Sequence, residues 1–371
     1  MELSVLESVL LYITIVILST VLMGLAEKGG SSQKIYLILA FLVITLPSAL
    51  RYDVGIDYLG YIDMYNVIVR SGSLADIPQY SIEYSFRVLS LISYILIGSP
   101  QLLFAVYAAL TNFFILLGIY FYRKETKMST MMFMYSCLFF FLTMNITRQM
   151  LAVSIIFFAS KYIINKSFLK YLLFVLLAVF FHKSAIIALV LYSLALDHVN
   201  IKKIIRVIKY ILPVIILFFM NYLITLFDLL INLWDPYKKY SLTYQITSDM
   251  TIGSGFMAML IICLLFYNNY KQGLLRSSEK FQYFTVQITI LATIFFLTEY
   301  RLANFGGRVS LYFQIFIIIA LSMLARSGSR PEEGLRYDYQ VVPYVYAILL
   351  FALDLVRDAQ GCLPYSLWIG H

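Results

Sequence analysis

The fold class predicted for this chain is all-α, a polytopic integral membrane protein, and three observations predict it. Of its 371 residues 61% are apolar, only 13% are charged, and the apolar residues gather in runs separated by short gaps. A run of about 20 apolar residues is what a helix needs to cross a bilayer core, where every backbone polar group must be satisfied inside its own element. No gap is long enough for a second folded unit, so residues 1–371 read as a single helical membrane domain. The net charge of +8 would suggest nucleic acid in a soluble protein, but here Lys and Arg are what cytoplasmic loops collect to orient helices. A nucleic-acid partner is therefore excluded. Cys137, Cys263 and Cys362 are too few and too scattered for a disulfide framework or a metal knuckle.

In chain order, residues 3–25 and 34–50 read as two spans joined by a turn carrying Lys28, Lys34 and a Gly-Gly-Ser stretch, which belongs at the cytoplasmic face. The first helix lacks the basic flank of a signal peptide and is expected to be retained, with its N-terminus outside. Arg51 then emerges on the outer face. From there to Glu83 the acids Asp53, Asp57, Asp63, Asp76 and Glu83 outnumber Arg51 and Arg70, as in an external loop. Residues 84–98 are helical in pattern, but their apolar core is too short to cross. A short re-entrant or interfacial helix on the outer, periplasmic side is expected there. Further spans follow at 101–122, 129–145, 149–164, 168–181, 184–197, 208–230, 253–270, 281–299, 309–325 and 341–356. This makes about twelve crossings, with larger outer loops at about 51–100 and 231–252 and both termini outside.

This topology puts 18 of the 28 basic residues inside. The rest, among them Arg51, Arg87, Arg148, Arg301 and Arg308, are mostly arginines, and the forked guanidinium is the cation suited to gripping phosphate. Together with Asp53, Asp57, Tyr58, Glu83, His182 and Glu299 they form an outer constellation drawn from five places in the chain. Cations, carboxylates and a histidine are the groups that displace a diphosphate, with arginine neutralising the leaving group and a base taking the proton of an attacking hydroxyl.

Each member has an ordinary reading beside the functional one. Glu83 and Arg87, four apart, suit a helical ion pair. Asp53 and Asp57 would repel on a helix, and as two carboxylates alone they are a poor metal site. His182 sits where a helix-capping histidine would. Arg148 has no acidic neighbour in sequence, which favours a functional role. Tyr52, Tyr58 and Tyr61 beside the acids are candidate sugar platforms. The tight breaks at Asn145-Ile-Thr-Arg148-Gln149 and Phe181-His182-Lys183-Ser184 suit a water-filled cavity rather than lipid.

The run Arg51-Tyr-Asp-Val-Gly-Ile-Asp-Tyr58, then Glu83 and Phe86, Arg148-Gln-Met-Leu-Ala152, His182-Lys-Ser-Ala185, and Arg308 with Tyr312-Phe313 resemble the EpsG-type branch of the Wzy polysaccharide polymerases over nearly the whole chain. The chain departs from part of that wider group in carrying Ala159, not glycine, eleven residues after Arg148. The resemblance implies a glycosyltransferase of the bacterial inner membrane that uses undecaprenyl-diphosphate-linked oligosaccharide at the periplasmic face, with no cofactor, metal or nucleotide sugar. The expected partners are that lipid-linked oligosaccharide, membrane lipid and a chain-length regulator protein. On this reading Arg148, Arg308, Asp57 and His182 are catalytic, while Arg51, Asp53, Tyr58, Glu83, Arg87, Glu299 and Arg301 bind substrate. The alternative is a flippase for the same lipid-linked sugar, which would require internal symmetry that the sequence does not show.

Overall fold

A computed structural model describes residues 2–71, 82–196, 254–327 and 340–369. The described part is helical, and its only β-type pairings are two isolated bridges, Glu2 with Ser366 and Arg51 with Leu367. The first helix, α1 (Val5–Glu27), starts where Ser4 and Glu7 form a capping box, with Glu7 N donating to Ser4 Oγ at 3.2 Å and Ser4 N to Glu7 Oε2 at 2.7 Å. These bonds satisfy backbone donors that the first turn leaves without intrahelical partners. Next come α2 (Gln33–Ala49), α3 (Tyr58–Ser71), α4 (Tyr84–Ile97), α5 (Gln101–Phe121), α6 (Met128–Leu138), α7 (Phe140–Asn145), α8 (Thr147–Ile164) and α9 (Phe168–Phe181). A 3-10 stretch covers Lys183–Leu196, and beyond the undescribed residues lie α10 (Ser254–Lys271), α11 (Glu279–Gln314), α12 (Ile317–Leu324) and α13 (Val342–Arg357).

The helices run between two ends. At the far end Ser129 N donates to Glu27 at 2.8 Å, Ser278 N to Glu125 at 2.9 Å and Gln340 Nε2 to Ser327 O at 2.6 Å. At the other end the tail after α13 folds across the starts and ends of the first helices. There Leu3 N donates to Tyr365 O at 2.9 Å, Tyr52 N to Ser366 O at 2.8 Å and Trp368 N to Leu50 O at 2.8 Å. Between the ends α8 is a deeply enclosed element, with Met150 to Phe157 almost wholly buried against α5, α9 and the 3-10 stretch.

Helix α4 does not join the two ends. Its first residues follow Glu83, which pairs with Arg148. Its exit at Gly98, in the left-handed region at φ 64°, leads to Gln101, whose amide donates to Ala49 O and to Arg51 O. Both contacts lie at the tail end, as the short apolar core predicts.

Among the described residues three helices are long and apolar enough to cross a membrane, Val5–Glu27, Gln101–Lys124 and Thr147–Ile164, or four if Gly307–Gln314 and Ile317–Leu324, bent by 43°, count as one. Other expected spans are divided or shortened. The one at 129–145 breaks at Phe139, and α9 is only 14 residues long because the chain turns extended at His182. The expected span at 208–230 and the outer loop at 231–252 lie outside the described residues.

Residues 300–308 connect two segments that fold back on each other, as expected of the spans at 281–299 and 309–325, but the connection is itself helical, within Glu279–Gln314. That helix is not straight: Phe295 and Phe313 would lie about 27 Å apart along a straight helix, whereas their rings stack with centroids 3.8 Å apart. The chain doubles back while staying helical, over a stretch that includes Gly306-Gly307, and such small-residue pairs are where helices bend.

Candidate functional site

The tail end collects most of the residues singled out by sequence. Arg148 stands in the first turn of α8, and its guanidinium pairs with Glu83, the residue that precedes α4. Arg148 Cζ also lies 5.5 Å from the ring centre of Tyr61 and 5.3 Å from that of Phe86, an enclosing aromatic seat. Only 16% of the arginine side chain and 10% of the glutamate is exposed. Arg148 therefore has an acidic partner after all, drawn from 65 positions away. Glu83 turns toward it, while Arg87 is buried with its Nε donating to Ile82 O at 3.2 Å.

Arg308 presents a different environment. Its guanidinium lies 3.5 Å from Asp57 Oδ2, with 47% of the arginine side chain and 36% of the aspartate exposed. A pair this open is worth little as a structural tie and is free to exchange partners. Its backbone is held by Gln149, whose amide donates to Arg308 O. Arg148 and Arg308 are thus linked through consecutive residues of one helical turn.

His182 ends α9 in extended conformation, with Nδ1 2.7 Å from Ser184 Oγ, itself 3.0 Å from the Tyr312 hydroxyl. Burial pushes the His182 pKa down to about 4; Glu83 opposes the shift, and Arg148 and Arg308 add to it. The imidazole is neutral at pH 7.

Other expected members are placed elsewhere. Arg51 is fully buried, its Nε donating to Val54 O at 3.1 Å, one terminal nitrogen to Ser48 O at 3.0 Å and the other to Thr147 Oγ1 at 2.9 Å. Its cation lies 4.7 Å above the Phe104 ring. Each guanidinium nitrogen is thus engaged by protein, which makes Arg51 a buried tie between the end of α2 and the start of α8. Tyr58 is likewise in the core, stacked on Phe104 at 4.9 Å, and Tyr61 is buried too, so neither offers a ring face to sugar. Tyr52 stays 43% exposed. Asp53 is exposed with a positive φ of 51°. Glu299 and Arg301 fall within α11, and their side chains lie outside the described residues. Among the described residues no three His, Cys, Asp or Glu side chains gather as a metal cluster.

The structure adds residues that sequence reasoning did not name for the site. Asn145 Oδ1 accepts from Asp57 N at 2.9 Å, and Asn145 Nδ2 donates to Gln360 Oε1 at 2.7 Å. Gln149 supports Arg308, and Ser184 with Tyr312 supports His182. Asn145, Gln149 and Ser184 lie in the two tight polar breaks, so their signal was there. Gln360 had none. Two buried polar atoms, Arg148 Nε and Gln149 Oε1, have no hydrogen-bond partner, and such orphans are uncommon in native structures.

A model of the EpsG family matches residues 34–367. The chain belongs to the EpsG family. It is accordingly a membrane protein of the polysaccharide-polymerase type, and the match spans every site residue named above. Comparison with curated proteins and with solved structures gives no match.

Proposed function

We propose that the protein is a glycosyltransferase that joins undecaprenyl-diphosphate-linked oligosaccharide repeats into O-antigen or capsular chains, with its tail end facing the periplasm of the bacterial inner membrane. The reading carries with it about twelve membrane crossings and α4 lying in the outer leaflet. The observation that carries it is the meeting of two arginines in unlike states, Arg148 enclosed with Glu83 and Arg308 half-exposed beside Asp57, in a member of this family.

The growing chain is donor and the non-reducing hydroxyl of the incoming unit is acceptor. Diphosphate competes for Arg308 and releases Asp57, which accepts the hydroxyl proton. The acceptor oxygen bonds to the anomeric carbon as its bond to phosphate breaks, and the electron pair leaves on undecaprenyl diphosphate. Arg148 and Arg308 stabilise that developing charge, and the single displacement inverts the anomeric centre. A diphosphate leaves readily, so no general acid is needed. His182, neutral and tied to Ser184, orients a sugar hydroxyl. In this scheme Arg51 positions the site and does not touch substrate, while Glu83 sets the orientation of Arg148.

A deletion strain tests the reading. Loss of long surface polysaccharide with single-unit lipid-linked material retained outside supports it. Loss of all external material would instead indicate a flippase.

A further inference from the structure

Three chain segments far apart in sequence close on one another beneath Asp57. The loop between α2 and α3 meets the tail through Gly55 N to Gly361 O at 2.7 Å and Ile56 N to Gln360 O at 3.1 Å. It meets the α7–α8 break so tightly that a Cβ on Gly55 would lie 2.6 Å from Met144 O, and Gly55 has a φ of 103° that favours glycine. On the tail side a Cβ on Gly361 would lie 2.9 Å from the Ile56 side chain. No side chain fits between the three. The side chain of Asn145 bridges them, accepting from Asp57 N and donating to Gln360 Oε1.

We propose that Gln360 and Asn145 are positioning residues for Asp57, so that the tail after α13 is a working part of the site. This rests on the proposed role of Asp57. Asp57 lies in the short connection before α3, and Asn145 is the side chain that holds its amide; Asn145 is itself fixed by Gln360. Asp358 fixes the tail in turn, its Oδ1 accepting from Cys362 N at 2.6 Å and Leu363 N at 3.1 Å, and Tyr12 donates to Cys362 O at 2.7 Å. The chain of contacts runs from the tail through Asn145 to Asp57 and on to Arg308. Without it the Asp57 backbone loses its anchor, and with it the placement of the carboxylate toward an acceptor hydroxyl, where a displacement of about 1 Å in a reacting group can lower a rate by orders of magnitude.

The test uses the full-length protein in detergent or nanodiscs with two variants, Gln360→Leu, which removes the acceptor, and Gln360→Glu, which keeps it. Hydrogen exchange at the Asp57 amide reports the tie without reference to activity; exchange within α8 is the folding control. Polymer formation from a defined lipid-linked repeat reports kcat and KM. The proposal predicts that Gln360→Leu loses Asp57 protection with α8 unchanged and lowers kcat about tenfold with KM little altered. Gln360→Glu should keep the protection and most of kcat, with the acidic limb of its pH profile moved upward by the added negative charge. Wild-type protection and kcat in Gln360→Leu would overturn the proposal, as would equal losses in the two variants. If wild-type protein formed no polymer, the functional reading would fail, while the exchange comparison would still decide whether Gln360 holds Asp57.

Discussion

The two ends of the bundle differ in what their carboxylates face. At the far end Glu125 accepts from Ser278 N and Oγ at 2.9 and 2.8 Å, at the start of α11, and Glu27 accepts from Ser129 N at 2.8 Å in the first turn of α6. Both acids satisfy helix N-termini, where exposed N–H groups and the helix dipole favour negative charge. At the tail end two acids face cations instead, Glu83 with Arg148 and Asp57 with Arg308. A cavity of about 1100 Å³ near the far end is lined by Lys166, Lys271 and Lys280. Those ammonium groups match what an inner membrane face collects. Glu125 and Glu27 thus serve helix starts, whereas the tail end, where Glu7 also caps α1, in addition sets two acids against guanidinium groups that a phosphate could claim.

The largest effects should come from breaking the tail-end pairs. Arg308→Ala should reduce polymer formation by on the order of a hundredfold or more, about 3 kcal/mol of lost leaving-group stabilisation. Abundance should be normal, because the pair it breaks is half-exposed. Arg148→Lys should fail nearly as badly as Arg148→Ala, since lysine keeps the charge but loses the fork. Near wild-type activity in the lysine variant would remove Arg148 from the reaction. Glu83→Gln differs in kind. It leaves a mostly buried guanidinium without its counter-charge and should lower stability by about 3 kcal/mol, read as reduced melting temperature in detergent.

A middle effect concerns acid. Because the folded pKa of His182 is held near 4, below its unfolded value of about 6.5, the unfolded chain binds the extra proton between these pH values. Stability should therefore fall as pH drops from about 6.5 toward 4, and His182→Gln should flatten that part of the curve. An unchanged slope would show that His182 is not the titrating group. The smallest effect belongs to the far end, where Glu125→Ala should cost about 1 kcal/mol of stability by losing a helix cap and leave kcat unaltered. A large loss of kcat there would erase the contrast between the ends.

Much of the architecture was legible because the bilayer imposes it. Apolar run length gave the helical class, and the short core of residues 88–97 marked α4 as an element that does not run end to end. The polar breaks around Asn145 and His182 marked the site, since polar groups between apolar runs need partners. What the sequence hid were pairings over long separations. Local spacing offered Arg87 for Glu83; the pairing of Glu83 with Arg148 crosses 65 positions and had no local signal. Arg51 looked like an outer cation because it follows a span directly; its burial depends on Ser48, Val54 and Thr147 closing round it, and the Thr147 contact crosses 96 positions. Tyr58 looked available for sugar until Phe104 covered it. The tail carries no periodicity, so nothing in its residues announced that Gln360 would reach Asn145. The reversal between Phe295 and Phe313 was legible, since the polar residues at 299–308 separate two apolar runs; that helix would continue through this connection was not.

The most direct measurement incubates purified protein with a defined undecaprenyl-diphosphate-linked repeat unit and follows chain length together with released undecaprenyl diphosphate. The account predicts a ladder of polymer in wild type, one undecaprenyl diphosphate freed per linkage, and loss of both in Arg308→Ala and Arg148→Lys. Wild-type ladders from both arginine variants would contradict it.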